Sequence, residues 1–356
     1  MLGISVYLKE ENRDRNAEWI RKSSSFGFQS IFTSLHIPED NPDTYKELLQ
    51  ELGGQARTYN MELLADVSPR SLEHLGLDWD SLPQLLDWGL AGIRVDYGFT
   101  EDEIVSLSKL MKTGINASTV SGSELDSWIE KGLNVENVEA WHNFYPRPET
   151  GLDLDFLNER NTMLKSKGIT TMAFIPGNET LRGPVFEGLP TLEQHRYVSP
   201  ALAAAQLKFS GNTDKILIGD PSATDETLYE LSSIDKEIIP LTIDLLDGAD
   251  HSALLTGVHT NRMDPARDVI RSVESRSYAE FGKIIEPSNQ VQRTVGMITV
   301  DNELYGRYSG EMQIVKRELP KDEKVNVIAK VVNEDLPLIH EIKAGGKFQL
   351  LVRDTI

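Results

Sequence analysis

The sequence predicts an α/β protein in which a (β/α)8 TIM barrel is followed by a smaller domain made mostly of β-strands. Eight short apolar segments alternate with helical segments across residues 1–234. The apolar segments are continuous rather than alternating, which is typical of parallel strands buried on both faces. From Asp235 onward the helical patterns give way to strand-like runs punctuated by Gly, Asn and Asp.

The barrel strands are predicted from apolar runs at 2–8, 30–35, 62–67, 92–97, 115–119, 138–144, 169–175 and 215–219. The helices between them are predicted from apolar residues at helical spacing, such as Leu48, Leu49 and Leu52. These helices are expected at 12–26, 44–59, 82–88, 101–112, 123–131, 153–167, 192–209 and 225–232.

An open doubly wound sheet is the alternative to the barrel. The turn after the first strand, Tyr7 to Asn12, lacks the glycines of a nucleotide-binding turn, which favours the barrel. The second domain, residues 235–356, is expected to be a small closed β-barrel without a flexible linker before it. Its strands are predicted at 238–245, 295–300, 311–317, 325–332 and 348–352.

Composition limits the classes of function. The formal charge of −20 over 356 residues argues against nucleic acid or an anionic membrane as a partner, although local arginines can still bind a small anion. The absence of cysteine excludes disulfides and thiolate catalysis. No signal peptide or membrane-spanning run is found, so a cytoplasmic protein is expected, and a homo-oligomer is left open. No cofactor is expected, and no metal, because His36 and His142 lack ligand partners at suitable spacing.

Four segments together resemble one bacterial family. They are Leu2 to Leu8, Trp141 to Leu152, Leu217 to Pro221, and Asn302 to Glu311. Over essentially its full length the chain resembles the 6-phospho-N-acetylmuramidases. The resemblance implies a TIM barrel followed by a cyclophilin-like β-barrel. It also implies a glycosidase of peptidoglycan recycling, which separates N-acetylmuramic acid 6-phosphate from N-acetylglucosamine in a cytoplasmic disaccharide. It assigns no catalytic residue, so the site is argued from the sequence.

Active sites of TIM barrels lie at the carboxyl ends of the strands, where Asp66, Asp96 and Asp220 end the third, fourth and eighth predicted strands. Glycoside hydrolysis generally uses two carboxyl groups. Asp66 and Asp96 end neighbouring strands, where mutual repulsion would raise one pKa and create an acid, so they are the predicted catalytic pair. Alternatively, the substrate's acetamido oxygen attacks the anomeric carbon while the carboxylates orient the amide and supply the proton.

Structural explanations remain open for each carboxylate. Asp220 precedes Pro221 and is equally suited to cap the following helix, in addition to its interpretation as a substrate-binding residue. Arg94 and Asp96 share strand parity and would also suit a buried ion pair. Asp66 stands just before the turn at Ser68.

Polar and aromatic residues at strand ends predict a sugar-binding ring around the barrel mouth. A single histidine among them is often only a satisfied core residue. The predicted substrate-binding residues of the ring are Tyr7, Ser34, His36, His142, Asn143 and Tyr145, and Ser118 and Thr119 lie at the same level.

A phosphorylated amino-sugar disaccharide needs cationic or N–H donors for its phosphate. Arg147 is the leading candidate because Pro146 and Pro148 restrict the backbone on both sides, although a plain surface loop would look the same. Asn178 and Arg182 lie in an unusually long connection, 176–191, which suits a lid or specificity loop. Arg307 is the candidate from the second domain. Each of these arginines alone also suits a solvated surface charge.

Two other classes of function remain. One is a binding or regulatory protein in which the second domain recognises a peptide and the barrel is a scaffold. The other is a sugar-phosphate isomerase or aldolase. A Schiff-base aldolase would need a lysine at the carboxyl end of a strand, and none is found there, while an isomerase usually needs a metal cluster or a clear Glu/His pair.

Overall fold

The computed structural model describes residues 1–35, 42–95, 98–246, 252–276 and 284–353. Two predicted site residues, His36 and Asp96, lie outside these ranges. The chain divides into two compact units, Met1–Ser232 and Ser233–Ile356. No helix in the described ranges is long and apolar enough to cross a membrane.

The first unit is a closed barrel of eight parallel strands in sequential order, in which β1 pairs with both β2 and β8. The predicted TIM barrel is therefore confirmed, and the open doubly wound sheet is excluded. The strands are β1 Leu2–Ser5, β2 Ser30–Ser34, β3 Glu62–Val67, β4 Gly92–Val95, β5 Lys112–Asn116, β6 Val138–Trp141, β7 Thr170–Ile175 and β8 Lys215–Ile218.

Nine α-helices accompany these strands in the described residues of the unit. Two of them, α5 and α6, begin with reciprocal capping boxes, Thr100 with Glu103 and Ser121 with Glu124, which satisfy backbone N–H groups of the first turn. The helices are α1 Arg13–Ser25, α2 Pro42–Thr58, α3 Pro69–His74, α4 Gln84–Asp87, α5 Glu101–Ser108, α6 Gly122–Glu130, α7 Leu154–Ser166, α8 Pro200–Ala205 and α9 Asp225–Asp235.

Three elements differ from the sequence-based expectation. The fifth strand begins at Lys112, which was placed in the preceding helix, because the Lys112 ammonium pairs with Glu62 on a distant strand. The helix expected over 192–209 is broken, because Ser199 caps a new helix that has Pro200 in its first turn. A short helix, Pro69–His74, was not expected.

The barrel interior is packed in layers, as its closed geometry requires. The middle layer is apolar and almost fully buried, formed by Phe32, Leu64, Trp141, Met172, Phe174 and Leu217. Below it, near the amino ends of the strands, lies a network of four charged residues. There Lys215 bonds to Glu139 at 2.6 Å and to Glu62 at 3.0 Å, and Lys112 bonds to the same two carboxylates.

The second unit is a seven-stranded sheet in the order β10-β15-β9-β14-β12-β13-β11. A β-bridge between Asn261 and Ser272 links the chain beyond the two edge strands, so the sheet is nearly closed into the predicted barrel. The short strands β10 and β11 were not expected. The strands are β9 Ile238–Leu245, β10 Val258–Thr260, β11 Val269–Arg271, β12 Met297–Asp301, β13 Met312–Val315, β14 Val325–Val331 and β15 Lys347–Val352, with the short helix α10 at Ser252–Leu255.

Candidate active site

A cavity of about 160 Å³ opens above the apolar layer, at the carboxyl ends of the strands. Its polar groups come from three strands: Asp66 near the end of β3, Arg94 in β4 and Asn143 just after β6. Asp66 and Arg94 are register partners in the parallel sheet, so their side chains point to the same side. The lining residues are Phe32, Asp66, Arg94, Trp141, His142, Asn143, Phe144 and Phe174.

The Arg94 guanidinium organises this cavity. Its Nη1 donates to Asp66 Oδ1 at 2.9 Å, and its Nη2 donates to Asn143 Oδ1 at 2.6 Å. The side chains of Arg94 and Asp66 are only 4% and 12% exposed, so the pair is nearly removed from water. Arg94 was considered as a partner of Asp96, and the structure instead pairs it with Asp66. The bond to Arg94 thus fixes the orientation of the Asp66 carboxylate, which lines the cavity and can contact a group that enters it.

Aromatic rings form the apolar wall of the cavity. The Phe32 and Phe174 rings meet edge to face with centroids 5.2 Å apart, and Phe174 meets Phe144 in the same way at 5.1 Å. Trp141 lies behind Phe32 and donates its indole N–H to Glu139 in the layer below. These interlocking rings give the cavity that contains the Asp66 carboxylate an apolar wall. The sequence showed aromatic residues in the stretch after β6, but it did not identify Phe32 or Phe174 as site residues.

His142 is the centre of a buried hydrogen-bond chain. Its Nε2 lies 3.0 Å from Asn161 Oδ1, and its Nδ1 lies 2.8 Å from the Ser118 hydroxyl. The Asn161 amide nitrogen donates to the carbonyl of Gly211, so the Asn161 oxygen faces the histidine and Nε2 carries the proton. Ser118 therefore donates to Nδ1. Burial lowers the His142 pKa to about 4, so the ring is neutral near pH 7.

Tyr145 adjoins this chain and is half-buried. Burial raises its pKa, against the opposing effects of the Ser118 hydroxyl and the Arg94 charge. Tyr145 is thus a neutral phenol that lies near both groups. His142 is fully buried and both of its ring nitrogens have protein partners, so its predicted contact with the substrate stays a prediction. Asn161, which sets the histidine tautomer, was not recognised in the sequence because it lies on α7, away from the strand ends.

A larger cavity, of about 680 Å³, lies beside the ends of β1 and β2. The Arg182 guanidinium lies 4.0 Å from the centroid of the Tyr7 ring and 5.8 Å from that of Phe144, which also lines the smaller cavity. Two predicted ring residues, Tyr7 and Ser34, line this cavity. The lining residues are Tyr7, Leu8, Lys9, Glu11, Asn12, Arg15, Ser34, Tyr45, Thr180, Leu181, Arg182, Gly183, Pro184, Phe186 and Pro221. The two cavities are called the inner and the outer cavity below.

Asp220 anchors the long loop that forms one wall of the outer cavity. Asp220 Oδ2 accepts from the backbone N–H groups of Gly177 and Leu189, at 2.9 and 3.0 Å, and Oδ1 accepts from the backbone N–H of Arg182 at 2.9 Å. The residue is fully buried, and burial raises its pKa. Asp220 therefore stabilises the loop, and its predicted contact with substrate stays a prediction. Asp220 is not the helix cap, because the helix begins at Asp225.

Asn178, from the same loop, is also used internally. Its amide nitrogen donates to Thr227 at 3.0 Å, and its oxygen accepts from the backbone of Thr224 at 3.2 Å, at the start of α9. Both ends of the amide are thus used within the protein, and the predicted substrate contact of Asn178 stays a prediction. Of the two loop residues predicted from the sequence, only Arg182 presents its side chain to a cavity.

Arg147 lies at the surface and lines neither cavity. Its backbone carbonyl accepts from Arg196, a buried arginine that sequence reasoning missed. Arg196 pairs with Glu193 at 2.6 Å and holds the pKa of that carboxyl down to about 2. Arg196 also bonds to the carbonyl of Gly188, and so connects the loop after β6 to the loop after β7. The Glu193 and Arg196 spacing of three residues is the only local indication of this pair.

Arg307 belongs to the second unit, where its guanidinium lies 4.9 Å from the Tyr308 ring centroid. Its predicted contact with the substrate stays a prediction. His36 and Asp96 lie outside the described residues, so their predicted roles also stay predictions. In the described ranges, His, Asp and Glu side chains nowhere gather in a group of three or more that would hold a metal ion.

Comparisons with known proteins cover the whole chain. The family model described as 6-phospho-N-acetylmuramidase, N-terminal, matches residues 2–233, and the corresponding C-terminal model matches residues 239–351. A conserved Enterococcus faecalis protein of unknown function is 38% identical, with a TM-score of 0.85, over 100% of this chain and 97% of its own. An uncharacterized B. cereus protein is 27% identical, with a TM-score of 0.82, over 98% of this chain and 99% of its own. No curated protein matches the chain.

Proposed function

The chain belongs to the 6-phospho-N-acetylmuramidase family, and from that premise we propose that it is a cytoplasmic glycosidase of peptidoglycan recycling. Its substrate is a disaccharide of N-acetylmuramic acid 6-phosphate and N-acetylglucosamine, and the reaction releases the phosphorylated sugar. The observation that carries the proposal is the Asp66 carboxylate, held by Arg94 at the base of a cavity at the barrel mouth.

The inner cavity supports a role for Asp66 at the anomeric centre. Cleavage of the glycosidic bond develops positive charge on the sugar ring, and a fixed carboxylate beside that ring stabilises it. Arg94 and Asn143 keep the carboxylate in place while the reaction proceeds, so little reorganisation is needed. The aromatic wall lowers the local polarity and strengthens this electrostatic effect.

The N-acetyl group of the substrate supports a variant of the same scheme. Its amide oxygen attacks the anomeric carbon, the glycosidic C–O bond breaks, and the leaving oxygen takes a proton from an acid. Water then opens the cyclic intermediate and supplies the hydroxyl of the product. Asp66 is suited to accept a hydrogen bond from the amide N–H in this scheme, because its ion pair with Arg94 leaves it an acceptor. Asp96, the predicted second carboxyl group, is our candidate for the acid.

The alternatives from the sequence receive less support. A Schiff-base aldolase needs a lysine that faces the site, but the described strands carry lysines only at the starts of β5 and β8 and late in the second unit. Lys112 and Lys215 pair with Glu62 and Glu139, below the apolar layer. They are separated from the inner cavity by packed rings, and are therefore structural.

The test is hydrolysis of matched substrates. The purified protein is incubated with N-acetylmuramyl-N-acetylglucosamine with and without the 6-phosphate, and products are identified by mass spectrometry. We expect release of N-acetylmuramic acid 6-phosphate from the phosphorylated disaccharide and much slower cleavage of the other. The Asp66→Asn variant serves as the control for a contaminating glycosidase. Absence of cleavage of the phosphorylated disaccharide by the folded protein would overturn the proposal.

A further inference from the structure

We propose that the outer cavity is an anion subsite for the sugar phosphate and that Arg182, not Arg147, is its principal ligand. The identity of the phosphorylated sugar rests on the proposed function. The existence of a phosphate-binding cavity rests on the geometry of Arg182 and its neighbours.

The first argument is the placement of the guanidinium. Its carbon lies over the Tyr7 ring, 4.0 Å from the ring centroid, in a cation–π contact. The N–H donors of a guanidinium lie in its plane and point outward from its edge, where a phosphate accepts two parallel hydrogen bonds. Within the described residues, Arg182 forms no direct ion pair with a carboxylate, and its charge interacts with that of Asp220 only at longer range. The Arg182 guanidinium is therefore supported by an aromatic ring and lines the outer cavity.

The second argument is rigidity. The backbone N–H of Arg182 is held by the buried Asp220 carboxylate at 2.9 Å, and the Tyr7 hydroxyl donates to the carbonyl of Gly219 at 2.6 Å. Thr180, two residues before Arg182, donates its backbone N–H to the Ser222 hydroxyl. Both the Tyr7 ring and the start of the Arg182 side chain are thus positioned before any ligand arrives. This lowers the conformational entropy that binding would otherwise cost.

The third argument is local charge. Among the described residues, the outer cavity is lined by three cationic side chains, Lys9, Arg15 and Arg182, and by one acidic side chain, Glu11. This local excess of positive charge occurs in a protein whose formal charge is −20. Positive charges concentrated in one cavity favour the binding of a small anion there, even though the net negative charge of the whole protein repels anions.

The fourth argument is the relation between the two cavities. Phe144 lines the inner cavity and its ring lies 5.8 Å from the Arg182 guanidinium, so the two sites share one aromatic wall. The inner cavity, at about 160 Å³, is smaller than an ordinary ligand pocket, whereas the outer cavity, at about 680 Å³, is within the usual range. We infer that the reacting end enters the inner cavity while the phosphate-bearing part occupies the outer one. Arg94 cannot substitute for Arg182, because it already pairs with Asp66.

The experiment measures binding without turnover. Affinities for N-acetylmuramic acid 6-phosphate and for N-acetylmuramic acid are measured by calorimetry in wild type, Arg182→Gln and Arg182→Lys. Arg21→Gln, which removes one exposed charge from the outer face of α1, is the matched control. We expect Arg182→Gln to weaken binding of the phosphorylated sugar by about 30- to 1,000-fold, and of the unphosphorylated sugar by less than about threefold. Arg182→Lys should weaken binding of the phosphorylated sugar by about tenfold, because lysine keeps the positive charge but lacks the two parallel N–H donors of the guanidinium.

Two results would overturn the inference: unchanged binding of the phosphorylated sugar in Arg182→Gln, or an equal loss for both sugars. Melting temperatures of the variants check that the loop remains folded. A failure of the proposed function can be distinguished from a failure of the anion subsite. If the wild type binds the phosphorylated sugar through Arg182 but does not cleave the disaccharide, the anion subsite stands and the glycosidase proposal falls. If the enzyme cleaves the disaccharide and Arg182→Gln keeps its preference for phosphate, only the subsite falls.

Discussion

The two ends of the barrel interior both contain buried charges, but they differ in what those charges face. Near the amino ends, Glu62, Lys112, Glu139 and Lys215 form a balanced network that is closed above by the apolar layer. At the carboxyl ends, Arg94 joins Asp66 and Asn143 around an open cavity. Buried charge alone therefore does not indicate a site; access to a cavity separates a structural network from a candidate catalytic one.

This difference predicts opposite effects for similar substitutions. A change of carboxylate to amide at the carboxyl ends should affect turnover, whereas the same change at the amino ends should affect stability. Four predictions examine this contrast, and they follow in order of expected effect.

Asp66→Asn should lower kcat by about a thousandfold, because the amide cannot stabilise the developing positive charge as a carboxylate does. The fold should survive, because an amide oxygen at that position still accepts from Arg94. Asp96→Asn is expected to cause a similar loss if Asp96 is the acid. Turnover of the phosphorylated disaccharide is measured together with thermal unfolding. Near-normal turnover in both variants would end the assignment of the catalytic pair.

Glu139→Gln should destabilise the first unit by about 3 kcal/mol, because Lys215 is only 3% exposed and would lose its closest carboxylate partner. Activity per folded molecule should be unchanged, since the network lies below the apolar layer. Urea unfolding gives the stability, and kcat/KM at low temperature gives the activity. A selective loss of activity without loss of stability would show that the network does more than support the barrel.

His142→Gln examines a buried group at the mouth that we interpret as structural. The pKa of His142 is lowered to about 4 in the fold, from about 6.5 in the unfolded chain. The unfolded chain therefore binds more protons between these values, and the folded state loses stability as pH falls from about 6.5 to 4. The loss attributable to His142 is about 3 kcal/mol at most. The slope of stability against pH should be reduced in the variant. An identical slope would exclude this contribution.

Arg147→Gln should change kcat/KM for the phosphorylated disaccharide by less than about threefold, because its side chain is exposed and lines neither cavity. The same change at Arg182 is the direct comparison. A large, phosphate-specific loss at Arg147 with none at Arg182 would restore the interpretation first suggested by the flanking prolines. Kinetics on substrates with and without the phosphate decide between the two arginines.

Much of the fold was predictable because it depends on local patterns. Apolar runs placed all eight barrel strands, and the limits of β3 and β9 were predicted without error. The errors occur where tertiary contacts override local preference. Lys112 has a good helix-forming side chain, yet it begins a strand, because Glu62 and Glu139 pair with its ammonium inside the barrel.

The site was predictable only in outline. Strand ends identified Asp66, Asn143 and Tyr7, because the carboxyl ends of parallel strands converge at one mouth. The partners of those residues could not be identified in the same way. Asn161 contacts His142, 19 positions earlier in the chain. Asp220 accepts hydrogen bonds from the backbone N–H groups of Leu189 and Gly177, which are 31 and 43 positions earlier.

The order of hydrophobic, turn and capping residues was sufficient to predict the sequence of strands and helices, the closed barrel and the change to β-structure near Asp235. Each of these features depends on residues that are neighbours in the sequence. The partner of each charge depended on the folded chain. Arg94 meets Asp66 across 28 positions and Lys215 meets Glu62 across 153, once barrel closure brings their strands into register. A carboxylate or arginine has the same local sequence signature whether it faces solvent, a buried partner or a cavity. Packing decides which of these it meets, and so decides that Asp220 supports a loop while Arg182 faces the outer cavity.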